Sequence, residues 1–350
     1  GVKLSVPNEI KLNVLSKFGY VDVTGAPFFD DPKGQLDSTN AIQKAVRFAR
    51  DHQMVCFFPQ GEYLVSNTIS CIQNFYRRSS KKILAAPNFP CILVGSRKGK
   101  RPTIKLAPRS MGFTNPQKPK YAIHFWARNL NDYRKEQPNI SFGQMLVNID
   151  VEIGEGNEGA VAIRHRGAQG SGIQDCTIFM RDGLTGIEGG CGSGGSYSNI
   201  KVVGGLVGLD LRETQPVSTI SAVKLINQSR RAILYEGRQS LSAVGVDIVS
   251  TTRGPVIECA YNNLYPSNGQ ICLIDSKIRF EKTADVAIST TRSIYLQNVY
   301  VKNAKKHVNI KNIRNFNSKE LGWTKIIRLA FALDPKKWKG YLYKHSIYLN

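Results

Sequence analysis

Between Asn148 and Ala304 the chain keeps returning to one short pattern. Pieces of alternating apolar character ("NIDVEI" from Asn148, "DCTIFM" from Asp175, "NIKVVG" from Asn199, "AVKLIN" from Ala222, "GVDIVS" from Gly245, "DSKIRF" from Asp275, "NVYVKN" from Asn298) begin 27, 24, 23, 23, 30 and 23 residues apart. A second row follows at the same period: "AVAIRHRG", "LTGIEGG", "LVGLDLR", "RAILYEG", "GPVIECA" and "DVAIST". A unit this small cannot bury its own apolar face, so a fixed period of this length means units stacked on their neighbours. A hairpin-built sandwich would instead turn every 8 to 12 residues or so.

Side chains alternate along a strand, so Cys176 with Ile178, Ile200 with Val202, Val223 with Leu225, Val246 with Ile248 and Val299 with Val301 should stack inside. Gly and Asn gather between the pieces, where the chain must bend sharply. The expected class is all-β, a single-stranded parallel β-helix.

The stretch "LDSTNAIQKAVRFARDHQMVCFFPQGEYLVS", Leu36 to Ser66, predicts the cap of such a solenoid. Asp37 or Ser38 can cap a helix from about Thr39 to Asp51, with Ala41, Ile42, Ala45, Val46 and Ala49 at helical spacing. A strand, a Pro-Gln-Gly turn and a second strand follow. Asp37-Ser38-Thr39 with Ala41-Ile42-Gln43, then Phe58-Pro59-Gln60-Gly61-Glu62-Tyr63, resembles the opening of the pectate-lyase-like superfamily. That group includes the family 55 glycoside hydrolases and relatives of the family 28 polygalacturonases. The resemblance spans residues 18 to 66 and, less fully, 142 to 178; where relatives carry a short "GDG" this chain has the longer "GAPFFDDPKGQ". It implies a right-handed β-helix whose first turn is covered by an N-terminal capping α-helix. The resulting division is a cap over 1–66, coils over 67–312, and an aromatic, basic tail over 313–350 that packs on the solenoid or leads to a further domain.

With 48 Lys plus Arg against 26 Asp plus Glu, the net charge of +22 predicts attraction to polyanions. No helix-turn-helix, RNP or zinc-finger pattern organises that charge, which sets nucleic acid aside. No apolar run is long enough for a membrane helix. Seven cysteines cannot all pair, and without CxxC spacing they read as buried thiols. The partner expected is a polysaccharide, possibly acidic, met by a secreted, periplasmic or surface protein whose signal peptide is not visible in this sequence.

If Ile187, Leu209, Ile257 and Ile288 face inward, then Glu188, Asp210, Glu258 and Ser289 face outward on their coils, one coil after Arg164. Glu236 falls between Asp210 and Glu258, but a strict 24-residue step would put Leu234 in the row and Glu236 two residues along. Carboxylates on neighbouring coils, about 4.8 Å apart, suit acid/base cleavage of a glycosidic bond. Like charges this close would also raise one pKa, as a proton donor requires. The same residues can equally be surface carboxylates paired with Arg181, Arg212, Arg230 or Arg253, or ligands of a calcium ion; no other cofactor is expected.

A more basic outward row holds Asp150, Thr177, Lys201, Lys224, Asp247, Lys277 and Tyr300, and Arg164, His165 and Arg166 add cations. These would bind an acidic polysaccharide and could support β-elimination, with Arg, Lys or His neutralising a uronate. His165 alternates with its arginine neighbours and so can also be a buried structural residue. A further row, Phe179, Val203, Ile226 and Val249, is apolar, and the tail carries Trp323, Trp338, Tyr341, Tyr343 and Tyr348. A glycoside hydrolase is the leading expectation; a polysaccharide lyase and a noncatalytic glycan-binding solenoid are the alternatives.

Overall fold

The computed structural model describes residues 5–79, 82–212, 219–260 and 269–332. Trp338, Tyr341, Tyr343 and Tyr348 lie outside the described residues. Within them the chain winds as a parallel β-helix. A sheet of fifteen strands and a sheet of ten run its length, and one antiparallel hairpin, Asn74–Ser79 with Lys82–Phe89, stands apart.

In the larger sheet Gly172–Arg181, Ser196–Gly204, Thr219–Ile226, Leu241–Ser250, Ile271–Ala284 and Ile294–Ala304 lie side by side in parallel. The smaller sheet stacks Ile69–Ile72, Lys120–Trp126, Ala160–Arg166, Thr185–Gly190, Val207–Leu211, Arg231–Tyr235, Ile257–Cys259, Ile288–Thr290 and Lys306–Ile310 in the same sense. Stacking starts early, since Tyr20–Asp22 already pairs with Val55–Phe58. At the far end, Arg314–Asn317 and Thr324–Phe331 join antiparallel to Lys306–Ile310 and Ile294–Ala304.

The residues that open the repeating pieces are not strand starts but corners. Asn148, Asp175, Asn199, Ala222, Gly245, Asp275 and Asn298 all have φ between 50° and 68°, the left-handed region. Each bends its coil through a sharp angle, so the residues before and after it face different sides of the solenoid. Asn and Asp tolerate this backbone because their short side chains bond locally. Here they also bond between coils: Asn199 Nδ2 donates to Asp175 Oδ1 at 2.7 Å, and Asn298 Nδ2 to Asp275 Oδ1 at 2.7 Å.

Beyond the corner the inward columns form as the alternation requires. Cys176, Ile200, Val223 and Val246 are in register, as are Ile178, Val202, Leu225 and Ile248, and all are buried. Ser276 breaks the apolar run; its buried hydroxyl accepts from the Val246 amide at 3.0 Å and donates to the Ile274 carbonyl at 2.8 Å. None of the seven cysteines is in a disulfide, and only Cys272 is part-exposed.

The helix Thr39–Asp51 lays Ile42, Ala45, Val46 and Ala49 on the first coil. Ser38 occupies the N-cap position without a capping bond; Asp37 Oδ1 takes the Thr39 amide (2.9 Å) and hydroxyl (2.5 Å) instead. Gln43 of the family-like "AIQ" donates to the Ser70 carbonyl (2.9 Å) and accepts its amide (2.7 Å). The helix thereby satisfies the free edge of the ten-stranded sheet.

Ala222 is the one corner residue with neither a short polar side chain nor the freedom of glycine. A left-handed L-residue costs roughly 1–2 kcal/mol, partly offset by the flexibility glycine adds to the unfolded chain. Ala222→Gly should therefore raise stability by about 0.5–1 kcal/mol in urea melts, and an unchanged or lower midpoint would show the corner to be unstrained.

Asp30 is 4% exposed and neither of its carboxylate oxygens has a hydrogen-bond partner. Burial pushes its pKa up to about 7, only partly opposed by Ser38 and the Ile42 amide nearby. Folding then favours the protonated acid, so its contribution is fully present below about pH 4 and is lost as pH rises towards 7. Asp30→Asn should remove this decline, seen as a smaller difference in unfolding midpoint between pH 5 and pH 8.

Candidate active site

The outward row of the ten-stranded sheet is the polar feature that the fold aligns most strictly. His124, Arg164, Glu188 and Asp210 are in direct register on four successive coils. Leu234 takes the next place, Glu258 the one after, and Ser289 follows. Glu236 thus stands two residues beyond the row, and Leu234 separates Asp210 from Glu258.

Each carboxylate meets a cation. Arg212 grips Asp210 with two bonds, Nε to Oδ1 at 2.9 Å and Nη2 to Oδ2 at 2.6 Å. That hydrogen bonding raises the Arg212 pKa against the cost of burial, and the charges of Asp210, Glu236 and Glu188 add to the effect. Arg212 therefore bonds Asp210 and feels the charges of Glu236 and Glu188 at longer range. Glu258 belongs to another group, bonded by Arg231 Nε at 2.8 Å and Lys311 Nζ at 2.9 Å. Burial would raise its pKa, but the bonds from Lys311 and Arg231 outweigh this and hold it low. The proton donor expected from like-charge repulsion is not Glu258, because cations and not carboxylates are its nearest neighbours.

Arg164 is shared. Its Nη1 bonds Glu188, while Nε and Nη2 both reach Glu136 at 3.0 Å. Glu136 also accepts from Arg166 Nη1 at 3.3 Å and lies 2.7 Å from His124 Nε2. Burial would lift the Glu136 carboxyl, yet the bonds from His124 and Arg164 hold it far below the usual range. Burial lowers the His124 pKa despite Glu136, which leaves a neutral ring donating through Nε2 at neutral pH. Aromatic surface borders the cluster: His124 stacks on Trp126 at 5.3 Å, and Arg164 lies over the Tyr121 ring at 4.9 Å.

His165, expected among the substrate-binding residues, points inward and is fully buried. Its Nδ1 is 3.0 Å from the Tyr197 hydroxyl and its Nε2 3.0 Å from the Gln144 carbonyl, and burial lowers its pKa to about 4. It cannot touch a ligand on the outer face. Lys201, Lys224 and Tyr300 do face outward, but from the fifteen-stranded sheet, so they do not share a surface with Glu188 and Asp210. Among the described residues no group of three or more His, Cys, Asp or Glu is arranged to hold a metal ion; the carboxylates proposed for calcium face guanidinium and ammonium groups.

Tyr121, His124, Trp126 and Glu136 escaped the sequence reading. The signal was present in "YAIHFW", which alternates as "AVAIRHR" does one coil later, but it sits in an irregular stretch without the period. Glu136 gives no such signal, since it reaches the cluster from a loop.

A parallel β-helix with its polar constellation on one sheet defines a protein of the pectate-lyase-like superfamily of right-handed β-helices. Residues 30–256 match the family described as "Rhamnogalacturonase A/epimerase, pectate lyase-like", and the chain belongs to that family. None of the curated proteins matches it. Similar solved structures include PfbA, a surface adhesin of Streptococcus pneumoniae (10% identity, 88% of this chain and 100% of that one, TM-score 0.34). Others are ORF18 of Geobacillus virus E2 (12%, 92% and 68%, 0.34) and an iota-carrageenase complexed to iota-carrageenan fragments (10%, 79% and 57%, 0.34). These likenesses carry no inference about chemistry.

Proposed function

We propose that this protein is a glycoside hydrolase acting on a polysaccharide outside the cell, with Glu188 and Asp210 as its catalytic pair. The observation that carries this reading is the register of Glu188 with Asp210 on adjacent coils. Strands about 4.8 Å apart bring two carboxylates near the roughly 5–5.5 Å separation of retaining glycosidases. Asp210 accepts from Arg212 through both of its oxygens, a pairing with a fixed cation that suits the base or nucleophile. Glu188 is bonded by Arg164 Nη1, while Nε and Nη2 of the same guanidinium reach Glu136. Sharing its guanidinium with Glu136, Glu188 is taken as the proton donor of the pair. Geometry favours Glu236 over Glu258 as the assisting carboxylate.

A second reading, a lyase acting on an acidic polysaccharide, draws on Arg164, Arg166 and the neutral His124 beside the pair. A panel of neutral, uronic and sulfated polysaccharides separates the two when read for reducing ends and for ultraviolet absorbance of unsaturated products. Reducing ends without that absorbance are expected. Unsaturated products would replace the hydrolase with the lyase, and binding without cleavage would leave a noncatalytic glycan-binding solenoid.

On a substrate so found, Glu188→Gln and Asp210→Asn should each cut turnover by roughly 10²–10⁴-fold with binding retained; undiminished turnover in either would remove that residue from the chemistry. Glu136→Gln should weaken the competition for Arg164, draw it onto Glu188 and lower the pKa of the donor. The alkaline limb of the rate profile should then move to lower pH, a displacement that a merely structural role for Glu136 would not produce.

A further inference from the structure

Past the left-handed corner, the outer surface of the fifteen-stranded sheet carries a second charged column. Lys201 and Lys224 are in direct register on neighbouring coils, followed by Asp247 and Lys277. Two residues along, Val203, Ile226 and Val249 are followed by Arg279 and Lys302, again in direct register. Like charges directly opposite each other on adjacent strands destabilise a sheet. This face accepts two such pairs, Lys201 with Lys224 and Arg279 with Lys302. Its acidic residue in the column, Asp247, is 3.5 Å from Lys224. Among the described residues Lys201, Lys277 and Arg279 have no ion pair. The N-terminal coil of the same face differs, because Asp150 and Glu152 there are matched by Arg101 at 3.1 Å and Arg181 at 3.2 Å.

We propose that this column is a binding track for a linear acidic polysaccharide, separate from the carboxylate site and independent of the hydrolase reading. Cations stand on the coils of Lys201, Lys224, Lys277 with Arg279, and Lys302, interrupted at Asp247; neighbouring coils lie about 4.8 Å apart, a step comparable to one sugar ring in a chain charged on every residue. Beside them run the apolar side chains, with Phe179 at the head of the row 42% exposed. A sugar chain laid along the axis meets both needs, its carboxylates or sulfates on the ammonium groups and its C–H faces on Val203 and Ile226. Duplex nucleic acid fits less well, since its charges fall every 1.7 Å or so on two strands and a single column can match few of them. An anionic bilayer would need a broad basic patch and not a narrow stripe.

The test compares wild type with Lys201→Gln/Lys224→Gln/Lys277→Gln in titrations against polygalacturonate, heparin, neutral dextran, a DNA duplex and phosphatidylserine vesicles. A control variant removes three cations from the N-terminal cap, Lys33→Gln/Lys44→Gln/Arg47→Gln. Polygalacturonate or heparin should bind wild type, dextran should not, and the column variant should lose at least about tenfold in affinity while the control loses much less. Binding should weaken steeply with salt, less so in the column variant. Equal losses in the two variants would show a response to net charge alone, and tighter binding of duplex or vesicles than of either glycan would assign the face to another partner; either result overturns the proposal. Unfolding midpoints check that both variants fold, and turnover on a short oligosaccharide at Glu188 and Asp210 should be unchanged in the column variant, so that its failure and that of the hydrolase reading are read separately.

Discussion

The phase of this solenoid is set at its left-handed corner. When every coil must pass through a residue with positive φ at the same place, the backbone on either side has no freedom to slip. A one-residue slip would turn every inward side chain out. The Asn199–Asp175 and Asn298–Asp275 bonds lock successive corners together, and parallel pairing carries the alignment onward. Coil length is then free to vary. The long step from Gly245 to Asp275 places its extra residues between Cys259 and Ile271, and the columns on both sheets continue past it undisturbed. Glu188 and Asp210 meet because their backbones have no other register available.

Much of this could be read from the residues, and the boundary between what could and could not has a physical origin. Alternation along a strand is local, so the inward columns at Cys176, Ile200 and Val223 follow from spacing alone. The place of Leu234 in the acidic row follows too, from a strict 24-residue step. Which columns share a face does not follow. Lys201 and Glu188 are thirteen residues apart in sequence, but the turn between Gly190 and Ser196 sends them to different sheets, and turn angle leaves no periodic trace. Ion pairing was legible in part: Arg212, named among the possible partners, grips Asp210 from two residues away, whereas the carboxylate that competes for Arg164 comes from the loop at Glu136.

The large positive charge is distributed unevenly in its consequences. On the ten-stranded sheet every acid of the row is met by a cation, so that surface holds fixed, mutually oriented dipoles whose field is local. On the fifteen-stranded sheet the cations outnumber their partners, and the field extends into solvent as far as screening allows, about a Debye length of 8–10 Å at physiological salt. The first arrangement suits selective chemistry at one bond; the second suits capture of a long charged chain. A substrate that is both polymeric and acidic could engage both at once, and effective concentration would then favour cleavage near an already held strand.

Beneath the outer row lies a polar support that explains why His165 is buried at all. Gln144 is fully buried; its side chain accepts the Cys91 amide at 2.7 Å and donates to the Cys71 and Trp126 carbonyls at 3.2 Å each. Its own carbonyl faces His165 Nε2, and the other ring nitrogen faces Tyr197, whose hydroxyl donates to the His165 carbonyl at 3.1 Å. A ring kept neutral by burial bridges three coils at the point where the strand Ala160–Arg166 presents Arg164 and Arg166 outward. An apolar residue there would remove the ring's contacts to both groups, while the Gln144 carbonyl keeps the Gly172 amide at 3.0 Å and the Tyr197 hydroxyl keeps the His165 carbonyl, so the cost is that of lost hydrogen bonds, about 0.5–1.5 kcal/mol each. The inward histidine therefore serves the site without touching it: it holds in place the strand from which two guanidiniums reach Glu136 and Glu188.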